Sequence, residues 1–261
     1  MNHNLDIPCR YYRVYTDLEV PCDEENFHFV EKNLSIPISQ AALVLVDVWN
    51  THYIDSWLQR AGEVTQNKIV PLLNAARNIG LTIIHGPSPR VTERRYPEVV
   101  PKPATQNENP NEWPPRTFRS LYRTDEYAPF GRQREPRLDA FNKRSQQELD
   151  IAQAATPLPN EPVITDGNQL HNILKDRHIL HLFYAGFATN WCIINRNYGV
   201  IDMCNRGYNI ILIRDATTGV EFHDSVNNLT ATDIAIREIE TKYAWSALTE
   251  DFITVSNTIS K

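Results

Sequence analysis

The chain has 261 residues, is 41% hydrophobic, and carries a net charge of −6 from 26 basic and 32 acidic side chains. That is enough apolar material for one large core, so a single domain over residues 1–261 is expected. The acidic balance leaves no basic footprint for nucleic acid, and no apolar run approaches a membrane span. The first residues lack the charged and apolar parts of a secretory signal, which sets the expectation of a cytoplasmic protein with no membrane or nucleic-acid partner.

In chain order, residues 1–40 read as an arm with Tyr11, Tyr12 and Tyr15 among charges, lying across the core or a neighbouring subunit. Leu43 to Val46 form a continuous apolar strand that ends at Asp47. A helix is expected over residues 63–79, where Val64, Ile69, Leu72, Leu73 and Ala76 recur at helical spacing before Gly80. A strand at residues 81–85 follows. Between Pro87 and Pro162 lie 13 of the 17 prolines, interleaved with Trp113, Phe118, Tyr122, Tyr127 and Phe130. That composition predicts an ordered insert over residues 87–160, acting as a lid or binding loop, with a short helix around 139–154.

The α/β rhythm then resumes. Strands are predicted at residues 163–165, 179–185, 208–214 and 252–255, and helices at 169–176, 192–206 and 224–243. Strands alternating with helices imply a three-layer, doubly wound, mostly parallel α/β sheet with helices on both faces. No glycine-rich phosphate loop is present: the segments GRQREP and GVEFHD match neither a dinucleotide fingerprint nor a P-loop, so no cofactor is expected.

Two segments carry chemistry. In an open α/β sheet the residues just past the carboxyl ends of parallel strands line the ligand crevice. Asp47 occupies one such end, and the stretch from Gly186 to Cys192 (GFATNWC) another. A thiol in the first turn of a helix faces unpaired N–H groups and the positive end of the helix dipole, which favours thiolate. Cys192 is therefore either an activated nucleophile with Asp47 as its base, or one more buried, inert cysteine. The other cysteines are Cys9, Cys22 and Cys204. Cys9 and Cys22 are near enough in sequence to pair, but a cytosolic setting favours free thiols.

The segments LVLVDVWN, GFATNWC and GYNIILIRDATTG, in this order and spacing, resemble the isochorismatase-like cysteine hydrolases over residues 40–86 and 163–256. The resemblance implies that Asp47 and Cys192 are two members of an Asp–Lys–Cys triad. It implies an oxyanion hole from the backbone N–H groups of Cys192 and Ala188, and a non-proline cis peptide near Phe187–Ala188. It also implies an oligomer, a dimer or tetramer, to which the insert and arm contribute.

The departures from the pattern are specific. The stretch matching the family's lysine, residues 159–171, contains no lysine, and Asp166 falls at its approximate position. Lys143 and Lys102, both in the insert, are the alternatives. The Asp-x-His cluster of nicotinamidases is absent after strand 81–85, and His85 alone holds no metal. His52, Glu221 and His223 are read as polar rim residues rather than ligands, so no metal is expected. Trp49 stands where many relatives carry Gln; with Trp191 it predicts an aromatic pocket lining, and Asn190 joins them as a substrate contact. The resulting expectation is a cofactor-independent cysteine hydrolase cleaving a C–N bond of a small amide or ureide through an acyl-enzyme. The alternatives are a vinyl-ether hydrolase of the isochorismatase type and an inactive binding or assembly protein on the same scaffold.

Overall fold

A computed structural model of the chain describes residues 4–101 and 113–259. Strand β3 (Ala41–Val46) is fully buried, and its side chains alternate between two cores. Leu43 and Leu45 face a layer built from α1 (Asp55–Val64), α2 (Val70–Asn78) and α8 (Thr249–Ile259), with Trp57, Leu72, Leu73 and Phe252 as its large members. Ala42, Val44 and Val46 face a second layer from α5 (Gly167–Asp176), α6 (Val200–Asn205) and α7 (Thr230–Lys242), which supplies Leu170, Leu174, Met203 and Ile239. A strand buried on both faces must be apolar throughout, which is why AALVLV reads as one continuous run.

The remaining strands are β1 (Asn4–Arg13), β2 (His28–Pro37), β4 (Thr82–Gly86), β5 (His181–Phe187), β6 (Asn209–Thr218) and β7 (Trp245–Ala247). They form one seven-stranded sheet in the order β2-β1-β7-β6-β5-β3-β4. From β3 to β7 all pairings are parallel, whereas β1 pairs antiparallel with both β2 and β7. The chain winds outward from β3 to β4, then crosses back to β5 and continues the other way through β6 and β7. The direction of winding reverses between β3 and β5, and a crevice opens above their carboxyl ends.

Several sequence expectations need correction. The arm is no strap: β1 and β2 make a ten-residue-register hairpin that extends the sheet. The helix expected over 63–79 begins eight residues earlier, at Asp55, and passes through a π-turn at Thr65–Ile69. The strand expected at 163–165 shrinks to a single parallel bridge between Val163 and His85. The strand expected at 252–255 is helix α8. Its buried residues Thr249, Phe252 and Ser256 recur at helical spacing, with Glu250 and Asp251 favouring the positive N-terminus. The helix expected over 192–206 breaks in two, a π-turn at Thr189–Ile193 and α6 from Val200, separated by a turn at Gly199. The insert carries α3 (Pro89–Arg95) and α4 (Pro136–Glu148), the latter buried through Phe141 and Ser145.

The turn into the Val163 bridge is fixed by Glu161. Its carboxylate accepts from Arg77 Nε and Nη2 at 2.7 and 2.9 Å, from His85 Nε2 at 2.8 Å and from the Leu158 amide at 2.9 Å. Burial alone would raise its pKa, but Arg77, His85 and the Leu158 amide outweigh burial and hold it well below the usual carboxylate range. Burial keeps His85 neutral, so it donates through Nε2. Glu161→Gln should cost about 2 kcal/mol in urea unfolding at neutral pH, because Arg77 and His85 lose a buried anion. A depressed folded-state pKa gives stability that is complete above the usual value near 4.5 and lost as pH falls below it. The wild-type and Glu161→Gln unfolding curves should therefore draw together progressively as the pH falls below the usual carboxylate value, meeting only in strong acid.

Candidate active site

Asp47 follows directly on β3 and is fully buried. Its backbone sits in the left-handed region at φ 47°, a conformation Asp tolerates better than most residues. Its amide is held by Gly86 O at 3.0 Å. On the adjacent strand, Gly186 adopts φ 115°, and a Cβ there would lie 2.0 Å from Val46 O. Only glycine lets β5 approach β3 this closely, and that approach brings the Cys192 loop over Asp47.

Past β5 the peptide bond between Phe187 and Ala188 is cis. Ala188 O then accepts from the amides of Trp191 and Ile193 at 3.0 and 3.2 Å, curling the chain into the π-turn that carries Cys192. The Ala188 N–H points back at the Cys192 sulfur. Thr189 is anchored by a buried hydroxyl pair with Thr217 at 2.7 Å.

The Asp47 carboxylate is the meeting point. Oδ2 accepts from Arg196 Nη2 at 2.7 Å and Nε at 3.0 Å, Oδ1 accepts from Trp49 Nε1 at 3.1 Å, and the Cys192 thiol also bonds the carboxylate. Arg196 is the cation that the sequence reading missed. It lies four residues after Cys192, one helical turn on, with its amide bonded to Cys192 O at 3.1 Å. That spacing was the available signal, obscured because an arginine on a predicted amphipathic helix reads as a solvated position.

Of the residues expected in place of the family lysine, Asp166 and Lys143 do not reach this point. Asp166 is the N-cap of α5, its carboxylate accepting from the amides of Asn168 and Gln169. Lys143 is exposed on α4, and Lys102 lies outside the described residues. Asn190, expected to touch substrate, is spent on the scaffold: it donates to Val220 O at 2.8 Å and accepts from Val220 N at 2.9 Å. Glu221 caps α7 through the amides of Ala231 and Thr232. No group of three His, Cys, Asp or Glu among the described residues is arranged to hold a metal. Trp49 and Trp191 both line a cavity of about 340 Å³ that Arg196 also borders, together with His52, Tyr53 and Phe141.

Electrostatics correct the sequence reading once more. Burial, and after it the Asp47 charge, pushes the Cys192 thiol up to about 12, with Arg196 and the Ala188 amide opposing. The helix-dipole argument for a preformed thiolate fails because the thiol sits in a five-residue π-turn rather than at the head of a continuous helix, and beside a carboxylate. Burial raises the pKa of Asp47 as well, against the pull of Arg196. Burial works against the charge of Arg196, but Asp47 more than compensates.

The family model for the isochorismatase domain matches residues 41–251. The chain belongs to the isochorismatase family. Among solved structures it resembles a cysteine hydrolase from Pseudomonas syringae pv. phaseolicola at 16% identity and a TM-score of 0.54, covering 86% of this chain and 95% of the other. An isochorismatase family protein from Burkholderia thailandensis gives 19% and 0.52 over 84% and 96%. An isochorismatase from Pseudomonas putida gives 19% and 0.51 over 82% and 90%. A comparison with curated proteins found no match. These likenesses establish an isochorismatase-family hydrolase fold; the β1–β2 hairpin lies outside the matched domain.

A thiol held in its neutral form has a distinctive labelling profile. Iodoacetamide should alkylate Cys192 slowly near neutral pH, at a rate still climbing above about pH 9, while the exposed Cys22 reacts readily. Peptide mapping by mass spectrometry checks this, and a plateau in Cys192 labelling by pH 8 would show a preformed thiolate instead.

Proposed function

We propose that the protein is a cysteine amidohydrolase that cleaves a C–N bond of a small amide or ureide without a cofactor. The observation that carries this reading is the buried Asp47 carboxylate shared between the Cys192 thiol and the Arg196 guanidinium. It sits at the point where the sheet's winding reverses, beside a cavity of substrate size.

The chemistry follows from that placement. Asp47 accepts the thiol proton as Cys192 Sγ bonds to the substrate carbonyl carbon, so no free thiolate accumulates. Once Asp47 is neutral, its repulsion of the sulfur vanishes while Arg196 remains, and the charge developing near sulfur faces a fixed cation. The carbonyl oxygen becomes an oxyanion against the Ala188 and Cys192 amides. Asp47 returns its proton to the departing nitrogen, leaving a thioester and a free amine. Water then adds to the thioester, gives a proton to Asp47, and releases the acid; the proton passes back to sulfur. Arg196 takes the electrostatic part that the family assigns to lysine.

Cys192→Ala should abolish hydrolysis while unfolding at the wild-type denaturant midpoint, since alanine tolerates a turn position and loses only a chemical role. Arg196→Met should lower kcat/KM by at least about 100-fold, and Arg196→Lys by less, because the lysine keeps a cation although not the two-pronged contact. Activity of Cys192→Ala near the wild-type rate would remove covalent catalysis from the reading.

The pH profile tests Asp47. As the base it must be ionised, and burial raises its pKa, so kcat/KM should fall on acidification at a pH above the ordinary carboxylate range. It should show no separate rise near the ordinary thiol value, because the thiol is deprotonated only during attack.

A further inference from the structure

The cavity beside Cys192 has features that the hydrolytic chemistry leaves unused. Trp49, His52, Tyr53, Phe141 and Trp191 form its aromatic walls. The His52 ring stacks on Trp49 with centroids 5.4 Å apart and planes 13° from parallel, and on Tyr53 at 4.4 Å and 27°. Burial pushes the His52 pKa down to about 4, and its Nδ1 accepts from the Ile54 amide, so it presents a neutral, flat ring. The aromatic faces that border the cavity suit a further flat ring.

Two polar groups on the same cavity can take a further partner. Ser88 lines it, and its Oγ is buried with no hydrogen-bond partner. A buried hydroxyl without a partner costs free energy unless a ligand satisfies it. Arg90 stands two residues on, at the cavity edge. Its Nη1 donates to the neutral hydroxyl of Ser145 at 2.5 Å, and no carboxylate among the described residues pairs with it. The second arginine on the wall, Arg196, is already committed to Asp47. The wall is therefore aromatic and apolar, with an unfilled buried hydroxyl at Ser88 and, two residues on, the exposed guanidinium of Arg90, which no described carboxylate pairs. A cationic ligand would meet like charge there, whereas a carboxylate would supply what both groups lack.

We propose that the substrate is an aromatic amide bearing a carboxylate remote from the scissile bond, its ring lodged among Trp49, His52 and Phe141 and its carboxylate recognised by Arg90 and Ser88. The inference rests on the amidohydrolase reading for the reaction, but its binding content is independent of turnover. Phe141 and the residue that holds Arg90, Ser145, both belong to α4 of the insert, so the insert builds the specificity pocket.

The test uses the full chain carrying Cys192→Ala, with binding followed by tryptophan fluorescence and calorimetry. The probes are 4-carbamoylbenzoate and 3-carbamoylbenzoate (aromatic anions), benzamide (neutral), 4-(aminomethyl)benzamide (cationic) and succinamate (an anion with no ring). At least one carbamoylbenzoate should bind about tenfold tighter than benzamide, with the cationic amide and succinamate weakest. Adding Arg90→Gln should erase that preference. Adding Ser145→Ala should retain it, because the guanidinium charge stays although its tether is lost. Equal binding of anionic and neutral rings, succinamate matching the carbamoylbenzoates, or a preference surviving Arg90→Gln would each overturn the proposal. If the binding pattern holds while the wild-type enzyme hydrolyses none of the amides, the amidohydrolase reading fails and the pocket assignment stands. If the wild-type enzyme hydrolyses succinamate and benzamide as well as the carbamoylbenzoates, that reading stands and the pocket assignment fails.

Discussion

A carboxylate with no exposure to solvent is the constraint around which this molecule is arranged. Taking Asp47 out of water carries a desolvation penalty of several kcal/mol, which only close and well-aligned partners offset. Every neighbouring feature supplies one. Gly186 lets β5 close on β3, the π-turn presents the thiol, Arg196 reaches back along one turn, and Trp49 closes the fourth side. In the proposed reaction the same arrangement would favour proton transfer, since a carboxylate in a dry site with one fixed cation reorganises little when charge moves from carboxylate to sulfur.

The sequence was informative wherever the signal was local. Asp47 and Cys192 lie at strand ends, and a strand end is marked by an apolar run and the residue that stops it. The cis peptide before Ala188 followed from family resemblance rather than from composition. What stayed hidden was mostly tertiary. Nothing in a single arginine on a helical face says that its guanidinium turns inward to a carboxylate 149 positions away. Residues 249–259 contain FITV, whose β-branched run suggested a strand, yet the period of burial is helical; the wrong period was followed there. The arm's hairpin was overlooked because β2 is an edge strand, half exposed, with charges among its apolar residues.

Residues 102–112 of the proline-rich insert lie outside the described residues, and its described part is tied down at many points around α4. Asn50 exchanges hydrogen bonds with the backbone at Glu148 and Asp150, Arg94 donates to Leu149 O, Arg144 donates to His52 O, and Trp49 forms a bridge with Ile151. These contacts connect α4 to the segment following Asp47. The pocket wall and the segment that follows Asp47 are therefore positioned by one network, and under the proposed mechanism that network would couple recognition of the acyl group to the geometry of attack.

Cys192 and Arg196 occupy a single turn of chain, separated by three residues. A lysine contributed from another strand depends on sheet register for its place, whereas here the spacing is set by backbone geometry alone. One residue inserted or deleted between Ile193 and Asn195 would swing the guanidinium by about 100° around the turn axis, away from the carboxylate. The segment is thus intolerant of length change while remaining permissive of side-chain change. Among relatives of this chain, an arginine four positions past the cysteine together with no lysine before it would mark those that share this arrangement.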